Sequence, residues 1–373
     1  MTQPPTWGAP PPQQPGGWPG QPGPGGQWAP QQPWPAPVPP KKGGAAKWAI
    51  GAVSLVAVIA VTATVAVSCT KNSDGNSGGG GTQTSAAPSD VASANDKGPV
   101  GIITEDPSCA PWGPIINTLS GVEGKGWLSR DPSIPLGLWT PEVRAQYEAV
   151  GTAMRKAADQ AVPLLKTTTH RVMRELYGQF IAYSRAYADS ILVYTPNDDN
   201  LARAGSTAGN VISDVCSAIS SGAAAARASL VPALAAPAST ASVGDVLNPK
   251  RMFDTPDAAC SDLTTALEQL SANPAYKSWL GTDPKIPVGS WSPEQQTITD
   301  AVAPVMTATA EALEKSVQRS SNPVVQDIVQ LGVQYQRTYI QALPTYQPDD
   351  QAIYTAGQRA AAVVRAACKY AAK

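Results

Sequence analysis

The residues best placed to do chemistry in this 373-residue chain are four tryptophans in two loops of closely similar wording. Residues 127–142 read WLSRDPSIPLGLWTPE and residues 279–294 read WLGTDPKIPVGSWSPE. Each loop is too long and too rich in Trp and Pro for a simple helix connector, and binding groups gather on loops held by a rigid scaffold. Trp127, Asp131 and Trp139, with Trp279, Asp283 and Trp291, are therefore the candidate binding residues. Paired indoles would grip a protein partner, a glycan or a lipid. The opposing reading is that they plug the open end of a helical bundle, because Trp buries a large area where Ala-rich helices leave gaps.

Other reactive residue types are sparse. His170 is the single histidine and Asn322 stands 152 residues later, which excludes a duplicated His-dependent site. His170 falls where a helix begins and reads as a surface or capping residue. No GxSxG, HExxH, P-loop or GxGxxG arrangement occurs. The acidic groups Asn197-Asp198-Asp199 and Asp349-Asp350 follow a proline at expected helix starts, where capping of free N–H groups is favoured over cation binding. Tyr183-x-Arg185-x-Tyr187 and Tyr335-x-Arg337-x-Tyr339 put both tyrosines on one helix face and Arg on another, a core-packing pattern. The expectation is a protein that is not an enzyme, with no catalytic residue, cofactor or metal.

The elements that carry the loops come in two copies. The offset of 152 continues without a gap through Tyr183/Tyr335, Tyr187/Tyr339, Tyr194/Tyr346, Pro196/Pro348, Asp198/Asp350, Gly205/Gly357 and Cys216/Cys368. Cys109 and Cys260 match with a one-residue shift. Within each copy the first helix carries an apolar stripe, as in Cys260, Leu263, Ala266, Leu267 and Leu270. The loop follows it. A second helix starts at Thr140-Pro141-Glu142 or Ser292-Pro293-Glu294, where a hydroxyl caps and Pro takes the first helical position. The third runs to Tyr194 or Tyr346, and a final Ala/Val-rich helix ends just past its Cys. No segment alternates with period two, so each copy reads as a four-helix antiparallel unit.

Four cysteines allow three connectivities, and copy symmetry favours Cys109–Cys216 and Cys260–Cys368. Each bridge would close a loop of roughly 110 residues, worth up to about 4–5 kcal/mol in the chain-entropy model. Their spacing suits staples rather than metal sites.

What precedes the copies is of another kind. Trp48 to Cys69 is an uncharged apolar stretch long enough to cross a bilayer as one helix. Lys41, Lys42 and Lys47 flank its N-terminal side, so the positive-inside bias keeps the N-terminus in the cytoplasm and exports the remainder. The exported side is where disulfides form and persist. Ala66-Val67-Ser68-Cys69 loosely matches a lipoprotein cleavage box, but the long leader and full-length apolar stretch favour an uncleaved anchor. Residues 1–47 hold fifteen prolines, which blocks helix and sheet and predicts a disordered tail. They carry three lysines and no acid within a chain of net charge −1, and neither part is basic enough to point to nucleic acid.

The tail TWGAPPPQQPGGWPGQPGPGGQW, running into KKGGAAKW and one apolar span, resembles the Pro/Gly/Gln-rich tails on single-pass membrane proteins of mycobacteria and related actinobacteria. The resemblance covers the first 70 or so residues; it implies an organism group and brings no function with it.

The resulting expectation is an all-α protein: tail 1–47, transmembrane helix 48–69, flexible stalk 70–104, disulfide-stapled modules 105–221 and 256–373, and linker 222–255 between them. The function expected is a non-enzymatic envelope scaffold or regulator with a protein partner outside the membrane. The alternative is a sensory or carrier module for a small apolar, lipid or glycan ligand.

Overall fold

The structure, a computed structural model, describes residues 90–372. The tail, the apolar span and most of the stalk lie outside the described residues. Among those described, ten α-helices and no strand occur: α1 (Cys109–Glu123), α2 (Pro141–Thr167), α3 (Arg171–Ser190), α4 (Asp199–Ser220), α5 (Ala223–Arg227), α6 (Cys260–Ala272), α7 (Pro274–Leu280), α8 (Pro293–Val317), α9 (Pro323–Ala342) and α10 (Gln351–Ala371). None of these helices is long and apolar enough to cross a membrane.

Local chemistry sets the helix starts. Thr140 accepts from the Val143 N–H at 3.3 Å and Ser292 from the Gln295 N–H at 3.1 Å, each with Pro next in line. Asp106 Oδ1 accepts from the Ser108 N–H, and Asp257 Oδ1 from the Ala259 N–H, just ahead of α1 and α6. The other carboxylate oxygens take the hydroxyls of Thr168 and Ser320, themselves 152 residues apart. Helices α2, α3 and α4 begin 152 residues before α8, α9 and α10.

Two departures from the expected element order have simple causes. The helix that begins at Cys260 is broken at Asn273-Pro274, where the Asn273 side chain accepts from the Ala275 and Tyr276 N–H groups and starts α7. The third helix stops at Ser190 or Ala342 rather than at the tyrosine. The chain then tightens into a 3₁₀ turn, Ile191–Val193 or Leu343–Thr345, that swings Tyr194 or Tyr346 inward.

Helix α4 packs against α10 more extensively than any other pair, with α3 and α9 on their flanks and α2 and α8 beyond. Gly205 and Gly357 allow the close approach of α4 to α3 and of α10 to α9. A Cβ at Gly205 would sit 2.9 Å from Ser184 Oγ, and one at Gly357 would sit 2.9 Å from the Gln336 N. The apolar faces merge into one core that includes Leu176, Phe180, Ile212, Val215, Leu263, Ile328 and Val364. Disulfides Cys109–Cys216 and Cys260–Cys368 tie α1 to α4 and α6 to α10.

Polar contacts also join the two halves. Arg171 on α3 forms a buried two-point ion pair with Asp327 on α9, at 2.7 and 3.1 Å. Glu175, at the position matching Asp327, is buried beside it, and burial with that second carboxylate pushes its pKa well up. Arg359 on α10 binds Asp214 on α4 at 2.7 and 2.8 Å.

Two stretches expected to be loose are held down. From residue 91 the stalk packs on the helices: Val91, Ser93, Val100 and Ile103 are buried, and Arg171 donates to the Asp96 and Gly98 carbonyls. In the linker, Met252 and Phe253 are buried and the Met252 N–H donates to Gln179 Oε1. Arg227 reaches Asp350 at 2.9 Å and the Thr345 carbonyl at 2.8 Å. Apolar residues scattered through polar sequence, together with backbone carbonyls offered to arginines, account for this ordering.

Candidate functional site

Gly126, in the left-handed region at φ 103°, turns the chain off α1 and starts the first loop. Trp127 is then buried and its Nε1 donates to the Tyr187 hydroxyl at 3.1 Å. The Arg130 guanidinium lies over its ring, 3.3 Å from the centroid, and pairs with Asp199 at the start of α4. Arg203 holds the second oxygen of Asp199. Trp139 donates from Nε1 to the Ile134 carbonyl at 2.9 Å and packs on Tyr147 and Tyr194, with centroids 4.0 and 4.9 Å away. The Tyr194 hydroxyl closes the loop on the Pro132 carbonyl. Asp131 stays exposed and accepts from the Ser133 N–H and hydroxyl, which keeps its pKa below the usual carboxylate range.

The second loop repeats the frame with different filling. Trp291 donates to the Ile286 carbonyl at 2.8 Å and the Tyr346 hydroxyl to the Pro284 carbonyl at 2.6 Å, the same bonds 152 residues on. Asp283 accepts from the Lys285 N–H as Asp131 does from Ser133. Where Arg130, Tyr147 and Asp199 stood, however, the chain has Thr282, Thr299 and Gln351. Trp279 rides on α7 rather than on a glycine turn, beside Tyr276, Tyr339 and Tyr354, and Tyr276 shares a 2.6 Å hydrogen bond with Tyr354.

With Thr in place of Arg and of Tyr, a cavity of about 80 Å³ remains. Trp279, Trp291, Tyr339, Tyr346 and Tyr354 line it, with Thr282, Asp283, Gln295, Thr299 and Gln351 supplying polar atoms. Burial pushes the Tyr339, Tyr346 and Tyr354 pKa values well up, so these hydroxyls stay neutral.

The candidate residues thus divide. Trp127 and Trp139 are satisfied by their own loop and neighbours, while Trp279 and Trp291 face a space. Sequence reading passed over Arg130, Tyr147, Tyr276 and Tyr354, and took Asp199 for a helix-start cap where the structure pairs it with Arg130 and Arg203. The usable signal was the set of positions at which residues 152 apart differ, not those at which they agree.

The remaining candidates serve the scaffold. Asp198 accepts from the Thr195 N–H and hydroxyl, and Asp350 from the Gln347 N–H, both as helix-start caps. Tyr183, Tyr187, Tyr335 and Tyr339 are core residues, while Arg185 pairs with Asp159 and Arg337 with Glu314. His170 precedes α3 and its Nε2 lies 3.0 Å from the Glu105 carbonyl. No cluster of three potential metal-binding side chains occurs among the described residues.

Residues 91–372 match the family described as mycobacterial ESX-1 associated protein. The chain belongs to that family. The matched range takes in the packed strap from Val91, both tryptophan loops and both disulfides, so the family is defined over the whole described fold. An uncharacterized protein of Mycolicibacterium smegmatis (strain MKD8) is 45% identical over 345 residues, which is 92% of this chain and 91% of its own length. That match reaches into the residues before 91 and agrees with the mycobacterial side of the resemblance drawn from the tail. No solved structure matches the chain.

Proposed function

We propose that the protein is a non-catalytic accessory of a mycobacterial ESX-1 secretion system, acting as an interaction scaffold on the outer face of the cell membrane. The family match supports the association with secretion. Two disulfides support an extracytoplasmic setting. The Trp48–Cys69 stretch with lysines before it supports a single-pass anchor whose N-terminus is inside. We read the two halves as copies of one helical module, joined back to back through α4 and α10.

The observation that carries the scaffold reading is the surface at the first loop. Leu128, Leu138, Leu192 and Val193 stand next to Trp127, Trp139 and Tyr194 and are 63% to 75% exposed. Their supports beneath are fully packed. Apolar side chains held out on a rigid end mark a protein contact. The matching positions after 152 residues are Leu280, Ser290, Pro344 and Thr345, a more polar set, so the contact belongs to the first half.

The test is export of ESX-1 substrates from mycobacterial cells carrying the Leu138→Asp/Val193→Asp double variant at normal protein level. Reduced export is expected. Unchanged export, both in that strain and in one lacking the protein, would remove the reading. A second reading, a module that binds a small ligand, is favoured by one observation, the cavity beneath Trp279 and Trp291.

A further inference from the structure

The first half shows what the cavity of the second half lacks. In the first half a guanidinium, that of Arg130, covers the Trp127 face and is gripped by the carboxylate at the start of α4. In the second half Trp279 stands at the same place in the repeat, but Thr282 replaces the arginine and Gln351 replaces its acidic partner. The indole is left without its cation. We propose that the cavity under Trp279 and Trp291 is a binding site for a guanidinium group, supplied by an arginine side chain of a protein partner or by a free small molecule.

Several features fit that chemistry. The walls are aromatic on several sides, and π-faces attract a desolvated cation, Trp most strongly. Gln351 Oε1 is buried, lines the cavity through its residue and has no hydrogen-bond partner, so an acceptor waits where Asp199 accepts from Arg130. Trp127 Nε1 is bonded to Tyr187, whereas no such bond joins Trp279 to Tyr339. Asp283, exposed at the rim with Leu280 and Pro284, adds negative charge and takes part in no ion pair among the described residues. Arg359, whose charge reaches Tyr354, is occupied by Asp214. A water needs roughly 10–15 Å³ of such space. The cavity's 80 Å³ therefore has room for a planar group larger than one water.

The site would take a guanidinium whichever secretion system the protein serves. Its test is a titration of full-length protein in detergent with methylguanidinium chloride, followed by NMR of the tryptophan indole N–H signals. Methylurea, the neutral isostere, is the control. A saturable shift of one or two indole signals is expected with methylguanidinium and none with methylurea. Thr282→Arg, which supplies the cation from the chain itself, is expected to abolish the response. Gln351→Asp, which restores the carboxylate of the first half, is expected to tighten binding about tenfold. A short peptide with one arginine, compared with its citrulline counterpart, separates the sources: tighter binding than methylguanidinium assigns the site to a partner's side chain, and equal binding to a free ligand. The absence of a saturable shift, or an equal response to methylurea, would overturn the proposal. So would an undiminished response in a Thr282→Arg protein with wild-type melting. If Thr282→Arg does not fold, unchanged affinity in Gln351→Asp would overturn it.

Discussion

The loop over residues 127–139 is closed by its own side chains, while the loop over residues 279–291 follows the same path around a cavity. Both frames use the same parts: an indole bonded to the carbonyl five residues earlier, and a tyrosine after the third helix bonded to the carbonyl of a loop proline. What differs is the filling. Arg130 and Tyr147 occupy in one half the space that Thr282 and Thr299 leave in the other. Two loops that share their frame bonds can therefore diverge in use, because indole and tyrosine bonds to loop carbonyls hold the path and side-chain volume sets the contents. The first loop turned outward, with apolar residues on its surface. The second turned inward.

If the frames are equivalent, their staples should act alike. Removing either bridge as a pair, Cys109→Ala/Cys216→Ala or Cys260→Ala/Cys368→Ala, is expected to cost about 4 kcal/mol in urea unfolding, since the closed loops of 107 and 108 residues are the same size. Costs differing severalfold would break the equivalence.

The fillings should then separate the halves. Trp139→Ala removes a buried indole wedged between two tyrosines and is expected to cost about 4 kcal/mol. Trp291→Ala, at a half-buried ring beside existing space, is expected to cost about 1–2 kcal/mol. Equal losses in denaturant titrations would mean that the cavity makes no energetic difference.

Glu123 sharpens the contrast through pH. It is buried on α1 beside Ser206, and burial pushes its pKa from 4.5 to about 7. Its raised pKa means that stability is fully present below pH 4.5 and lost as pH rises through 7. Glu123→Gln should therefore match the wild type in stability at pH 4 and exceed it by about 3 kcal/mol at pH 8. Thermal melts at the two values check this. No acid stands at Pro274 or Ala275, so no variant there should show that dependence.

A further contrast lies at the cation itself. Arg130→Ala uncovers Trp127 and leaves Asp199 with Arg203 alone, for a cost of about 2 kcal/mol. Thr282→Ala should change stability by less than about 0.5 kcal/mol. A large loss from Thr282→Ala would mean that the second loop is as filled as the first.

Much of the frame was legible in the sequence because it rests on local rules. Thr140-Pro141 and Ser292-Pro293 start helices by hydroxyl capping and a fixed φ, which need no distant partner. The disulfide pairs followed from two copies of one cysteine pattern. The buried Arg171–Asp327 pair was not legible: Pro323 matches Arg171 and Glu175 matches Asp327, so the repeat gave no hint that an arginine of one half would reach an acid of the other. The packed strap from Val91 and the pinned linker were equally silent, since their composition is that of flexible chain and they are fixed by a few buried apolar residues and by arginine bonds to distant carbonyls.

By itself the sequence determined the helical periodicity, the caps, the repeat and the cysteine partners, all properties carried by neighbours in the chain or by an internal copy. Tertiary structure alone decided which indoles are filled and which face a cavity. That outcome depends on residues 130, 147 and 199 against 282, 299 and 351, brought together from three different elements. Whether side chains so gathered fill a space is a sum that exists only once the helices have packed.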